Sequence, residues 1–219
     1  MFSRFTSRPR RALAAGLTAV AASAALVFAS APAQAQEELI LVQYDVNGST
    51  HIAGTNSDIT LGPTTIDTAV DEFGNFTGTM VLPGTRTEFK LAGFIPVTAD
   101  VNFEPVGDTT GSIKVANVRF RTLETESQYY VRLSNIKAVG LPLFTGSNCR
   151  TSSPVVVPAN TPEGEYFNIA RGGNLTGEYS IGNFQNCGLI GGQTLLINAL
   201  IPGGGNTIDL QLTNGRPLN

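Results

Sequence analysis

Between residues 40 and 213, apolar and polar residues alternate with a period of two in one stretch after another. Ile40, Val42, Tyr44 and Val46 fall on one face of an extended segment, with Gln43 and Asp45 opposite. Val97, Ala99, Val101 and Phe103 alternate with Thr98, Asp100, Asn102 and Glu104, and Ile208, Leu210 and Leu212 alternate with Asp209, Gln211 and Thr213. Successive side chains of a strand point to opposite sides, so this pattern buries one face and wets the other, as in antiparallel sheets. Shorter candidates at 86–91, 112–116, 118–122, 128–133 and 136–140 bring the expected total to about eleven strands. Val115 and Val118 sit in opposite phase, which predicts a turn or bulge at Ala116-Asn117. One segment departs from the pattern. Thr194 to Ile201 is apolar except at Thr194 and Asn198, after Gly191-Gly192 and before Pro202-Gly203. It predicts a helix of about two turns capped by Thr194, with a buried strand as the alternative. The expected fold is all-β: an antiparallel β-sandwich, immunoglobulin-like in one version, with at most one short helix near 194–201.

The amino-terminal segment is of another kind. Arg4, Arg8, Arg10 and Arg11 precede an apolar run from Ala12 to Ala29, and Ser30-Ala31-Pro32-Ala33-Gln34-Ala35 follows. A basic start, an apolar middle and an A-x-A end are the parts of a secretory signal peptide, here expected to span residues 1–35. An uncleaved anchor helix is the alternative; Arg10-Arg11 hints at the twin-arginine route. Residues 36–219 then form a single β-rich domain that is secreted or associated with the cell wall.

Without residues 1–35 the chain keeps 10 basic and 17 acidic residues, a net charge of −7. Its three lysines, Lys90, Lys114 and Lys137, make no basic stripe, which argues against a nucleic-acid partner. No later apolar run is long enough for a transmembrane helix. Glycine is abundant, and with much Thr and Val it reads as many strands joined by many turns. The only cysteines are Cys149 and Cys187. In an exported chain they are expected to form a disulfide; a reactive thiol or metal pair is the alternative. Gly74-Asn75-Phe76-Thr77-Gly78 resembles Gly173-Asn174-Leu175-Thr176-Gly177, and the segments 74–82 and 173–181 keep the same alternation. Either a half-domain is duplicated or Gly-Asn turns simply recur before strands.

Several motifs carry a family likeness. They are Asn183-Phe184-Gln185-Asn186-Cys187-Gly188-Leu189, Leu196-Ile197-Asn198 and Gly205-Asn206-Thr207, with Phe89-Lys90-Leu91 and Gly93-Phe94-Ile95-Pro96-Val97 upstream. Phe103-Glu104-Pro105-Val106-Gly107 and Leu143-Phe144-Thr145-Gly146-Ser147-Asn148-Cys149-Arg150 belong to the same set. Over most of residues 60–213 the chain resembles a group of uncharacterised secreted β-rich proteins of actinobacteria. The resemblance implies export, the cysteine pair and a high-GC Gram-positive host. It implies no catalytic residue.

The residues themselves offer little catalytic chemistry. Serine hydrolysis needs a base beside the nucleophile, and the one histidine, His51, lies near Gly48-Ser49-Thr50 with no G-x-S-x-G elbow. The same single histidine leaves no metal set, and no cofactor is expected. Asp71-Glu72 with Asn75, and Asp45 with Asn47, read as turn chemistry rather than calcium loops. Asn-x-Ser/Thr matches at Asn47, Asn75 and Asn174 are accidental in a bacterium. A carboxylate pair drawn from Glu104, Glu163, Glu165 and Glu178 is a route to glycoside cleavage, although the absence of Trp removes the usual sugar platform.

Two Gly-led apolar segments interrupt the alternation: Gly93-Phe94-Ile95-Pro96 and Gly140-Leu141-Pro142-Leu143-Phe144. Proline keeps both out of central strands. Exposed together, Phe94, Ile95, Leu141, Leu143 and Phe144 would form an apolar binding patch; the alternative is that they cross between sheets and fill the core. The expected function is a non-catalytic exported protein that binds an envelope lipid, a glycan or a protein partner. A carboxylate-pair hydrolase and an outer-envelope β-barrel are the alternatives.

Overall fold

The computed structural model describes residues 38–218, apart from 92–93, 116–119, 144 and 189–191. The expected signal segment, the Ala116-Asn117 turn and Phe144 therefore lie outside the described residues. Among the described residues, thirteen strands, a 3-10 turn at Ala53–Thr55 and one short α-helix follow in order: β1 (Ile40–Ile52), β2 (Ser57–Val70), β3 (Asn75–Met80), β4 (Thr85–Leu91), β5 (Ile95–Pro105), β6 (Thr109–Val115) and β7 (Arg121–Ala138). Then come β8 (Leu141–Pro142), β9 (Arg150–Thr151), β10 (Val155–Asn160), β11 (Gly173–Ile181), β12 (Phe184–Gln185), α1 (Gly192–Asn198) and β13 (Gly203–Pro217).

The all-β expectation holds, but the sandwich is corrected to a barrel. Strands β10, β11, β13, β1, β2, β3, β6 and β7 are neighbours in that order, and β7 pairs again with β10, so eight antiparallel strands close on themselves. The reason lies in β7. Its first half is bonded to β6 through Glu126 to Arg121 and to β10 through Tyr129 to Glu124, which leaves no free edge there. Period-two alternation states which side chains turn inward. It does not distinguish two facing sheets from one curled sheet. Closure also depends on glycine in mid-strand. A Cβ at Gly177 would stand 1.9 Å from the Pro158 carbonyl oxygen, and one at Gly111 would stand 2.1 Å from that of Glu124. These glycines serve close backbone approach, a use of glycine other than the turns expected from composition.

The second half of β7 has other partners. There β5 replaces β6, from Pro105 opposite Tyr129 to Val97 opposite Ala138, and β4 flanks β5. The barrel thus has a lower end, walled by β3 and β6, and an upper end, walled by β4 and β5. At the upper end β4 lies against β2 without ladder pairing. The candidates 128–133 and 136–140 fall on one strand, which ends at Ala138 before a turn at Val139-Gly140, with a bulge at Asn135 (φ 48°) where the register shifts opposite Thr98 and Asp100.

Helix α1 begins two residues before the expected cap. Thr194 lies inside it, and its hydroxyl serves Cys187 rather than the helix start: it donates to the Cys187 carbonyl (2.8 Å) and accepts from the Cys187 N–H (3.1 Å). Cys149 and Cys187 form a disulfide, and both are fully buried. The Gly-Asn segments both lead into barrel strands, β3 and β11, with Phe76, Met80, Leu175 and Ile181 turned inward. No helix among the described residues is long and apolar enough to cross a membrane.

Candidate functional site

Inward-facing residues pack the interior of the lower barrel, and its mouth holds an opening of about 200 Å³ bordered by Val70, Asp71, Glu72, Ile113 and Arg121. Phe76, Met80, Leu175 and Leu212 surround a gap of only about 20 Å³. At mid-height Tyr129, Val155, Tyr179 and Ile208 leave about 30 Å³. At the upper end the interior opens to a cavity of about 150 Å³.

Each wall of that cavity follows from strand phase. Val97, Ala99 and Val101 are the inward positions of β5, and Thr87 and Phe89 are those of β4. Val131 and Leu133 come from β7 before its bulge, Ile136 and Ala138 after it. The β1–β2 turn contributes Ile52, Thr55, Ser57 and Ile59. The roof is α1 and its flanks: Leu196, Ile197, Leu200 and Ile201, with Phe184 and Leu143 beside them. The segment bearing the roof is clamped to the wall. Asn198 receives the Phe184 N–H at its Oδ1 (2.7 Å) and donates through Nδ2 to the Phe184 carbonyl (3.0 Å). The disulfide ties the same segment to the chain just before β9.

Among the described residues, Thr55, Ser57 and Thr87 are the polar residues that line this cavity, and none of its lining residues is charged. Thr55 and Ser57 share a hydrogen bond of 2.7 Å. Thr87 is 6% exposed, and its Oγ1 is buried without a hydrogen-bond partner.

The Gly-led segments meet at this upper end. Val139 N–H donates to the Pro96 carbonyl (2.9 Å), and Leu141 stands opposite Ala138. Phe94 (74% exposed) and Leu141 (71% exposed) project outward. Ile95 and Leu143 are half-buried against the core, and Leu143 lines the cavity. The segments are therefore neighbours, but their side chains divide between rim and interior.

The residues considered for catalysis are dispersed. His51 Nδ1 contacts Asp58 Oδ1 (2.8 Å) on the outer face of β1 and β2. Glu104 pairs with Arg132 (2.5 Å) and Arg150 (3.5 Å), and Arg150 lies over the Tyr130 ring. Glu163, Glu165 and Glu178 are exposed, with Glu165 accepting from Asn174. Asp71 accepts from the Asn75 side chain and from the N–H groups of Phe73 and Asn75, bonds that hold its carboxyl below the ordinary 3.8. Asp45 is held low by Asn214 and Arg216. Among the described residues no group of three or more His, Cys, Asp or Glu is placed to hold a metal ion. Compared with protein-family models, curated proteins and solved structures, the chain matches none.

Proposed function

We propose that this chain is an exported, non-catalytic binding protein of the cell envelope, and that its ligand is a small apolar molecule held in the upper barrel. One observation carries the reading: an uncharged, apolar cavity of about 150 Å³ persists at the upper end of the barrel, whereas the packed interior of the lower half leaves about 20 Å³. An empty space of that size lowers stability by about 3–4 kcal/mol, taking ~24 cal/mol per Å³. That is a large share of the roughly 5–15 kcal/mol that holds a domain folded. Larger side chains at Ala99 or Ala138 would remove it, so a retained opening calls for an occupant. Apolar cavities of about this volume stay dry and take up benzene.

Export is supported by the basic, apolar and A-x-A succession of residues 1–35 and by the disulfide, which persists in oxidising compartments. The likeness to secreted actinobacterial proteins agrees with that compartment. Phe94, Val139 and Leu141, all exposed, stand at the cavity end and suit an apolar rim through which the ligand passes. The hydrolase alternative has less support, because Glu104 is engaged by two arginines and the other three acids are spread over the surface. The membrane-barrel alternative requires an apolar outer band. The outward positions here include Gln43, Asp45, Ser49, Asp67, Glu124, Glu126 and Asp209, the reverse polarity.

Calorimetric titration with toluene tests the proposal. The wild type is expected to bind one toluene per chain. Ala99→Leu, which fills the cavity, is expected to abolish the heat while raising Tm. A wild-type protein that takes up no toluene contradicts the proposal.

A further inference from the structure

We infer that the ligand of this cavity is neutral and carries one hydrogen-bonding oxygen, a hydroxyl or a ketone on a compact apolar body, and that Thr87 recognises that oxygen. The inference rests on the cavity reading above and adds the chemical class of its occupant.

Thr87 is the exception among the inward-facing hydroxyls. Thr50 Oγ1 bonds the Tyr179 hydroxyl (2.5 Å) and the Thr207 carbonyl (2.8 Å). Thr68 donates to the Val42 carbonyl (2.6 Å), and Thr125 to that of Ala159 (2.6 Å). Thr109 is paired with Ser127 (2.7 Å). The two other polar residues of the cavity wall, Thr55 and Ser57, share a hydrogen bond (2.7 Å). Thr87 stands opposite Ala99 on β5, in the wall of the upper cavity; its Oγ1 has neither a partner nor exposed surface, so it meets a ligand by turning about χ1.

Buried polar groups are paired in folded proteins, and an orphan is destabilising. Valine has nearly the shape of threonine without the orphan, and the same wall uses valine at Val97, Val101 and Val131. A threonine at position 87 therefore costs stability unless something in the cavity meets it. A hydroxyl both donates and accepts, so alcohols, phenols and ketones all qualify. Ionised ligands do not. No charged residue lines the described cavity, and an uncompensated carboxylate or ammonium is expelled from such a site. The volume sets the body at about the size of one six-membered ring.

The test compares toluene, 4-methylphenol and 4-methylbenzoate at pH 7 on the full folded protein, with Thr87→Val and Thr87→Ser as variants. Wild type is expected to bind toluene and 4-methylphenol and to refuse 4-methylbenzoate. Thr87→Val is expected to weaken 4-methylphenol by about five- to tenfold, the loss of one hydrogen bond, and to leave toluene unchanged or tighter. Thr87→Ser is expected to restore 4-methylphenol, and Thr87→Val to melt at or above the wild-type Tm. If Thr87→Val weakens both ligands equally, if wild type binds toluene but not 4-methylphenol, or if Thr87→Val melts lower, the assignment to Thr87 is overturned and the cavity reading stands. If wild type binds 4-methylbenzoate, the neutral class is overturned. If it binds neither toluene nor 4-methylphenol, the cavity reading itself has failed.

Discussion

At the lower end of the barrel β3 and β6 stand between β2 and β7, and each neighbouring pair is joined by a ladder. At the upper end β4 and β5 stand there, β4 meets β2 without ladder pairing, and α1 covers the opening from above. The interiors differ accordingly: about 20 Å³ of free space among the packed side chains below and about 150 Å³ above, while the lower mouth holds an opening of about 200 Å³ bordered by Asp71, Glu72 and Arg121. A ladder sets neighbouring strands about 4.8 Å apart. A ring closed all round by ladders therefore has a fixed bore, which side chains such as Phe76 and Leu212 can fill. Where the wall is completed by packing alone, spacing is set by side chains and by clamps, and room for a guest remains. The lower half is packed by its own side chains, and the upper half keeps the space proposed above for a ligand.

Opening the disulfide should separate the halves most strongly. The loop between Cys149 and Cys187 has a separation of 38 residues. The chain-entropy model assigns its closure about 4 kcal/mol. Cys149→Ala with Cys187→Ala is expected to lower stability by up to that amount and to lose amide protection first at 192–201, while β1, β2 and β13 keep theirs. Hydrogen exchange read by mass spectrometry checks this, and uniform loss across both halves would break the comparison.

Truncation of leucines gives the next effect. Leu210→Ala, in the filled half, is expected to cost about 4 kcal/mol, whereas Leu133→Ala, beside the existing cavity, should stay nearer 3 kcal/mol because fewer contacts are lost. Urea unfolding of both variants gives the two values.

Much of this division is hidden in the sequence for physical reasons. Strand faces are legible: Val42, Tyr44, Val46, Val97, Ala99, Val101, Ile208, Leu210 and Leu212 are all buried as their alternation requires. The extent of β2 is not, because Gly62-Pro63 interrupts it at a bulge, where Val46 faces Thr64 and Gly48 faces Leu61. The second half of β7 reads as two strands, 128–133 and 136–140, since the bulge at Asn135 reverses the phase between them. The cavity is legible only in pieces. Thr87 belongs to the candidate strand 86–91, in phase with Phe89, but the space before it is made by β1, β2, β5, β7, α1 and the segments beside them, and no local pattern reports that volume. The Gly-led segments stand out in the sequence by breaking alternation. They mark the rim at Phe94 and Leu141, while the polar wall residue carried no comparable signal.

The pH dependence sharpens the view of the lower half. Burial pushes the Tyr44 hydroxyl, which donates to the Ile169 carbonyl (2.5 Å), from 10.0 up to about 12. Tyr129 and Tyr179 are raised by burial as well. The folded chain holds these protons after the unfolded chain has released them. It therefore binds more protons than the unfolded chain there, and the tyrosine contribution to stability is constant below about pH 10 and is lost as pH rises toward 12. Urea midpoints at pH 9 and pH 11 are expected to differ for wild type and to differ less for Tyr44→Phe.

The smallest effect belongs to the rim. Phe94→Ser with Leu141→Ser is expected to change stability by no more than about 0.5 kcal/mol, since both side chains already face solvent. A thermal melt of the double variant decides it, and a large fall in Tm would place these residues in the core instead.

The most direct measurement is a crystal structure under xenon pressure. Xenon enters dry apolar cavities of this size. A single strong site is expected at the upper end, enclosed by Ala99, Val131, Ile181 and Leu200, with none in the lower half. An upper interior filled by ordered water, or collapsed around side chains with no xenon bound, would contradict the claim that this barrel keeps one end open for an apolar ligand.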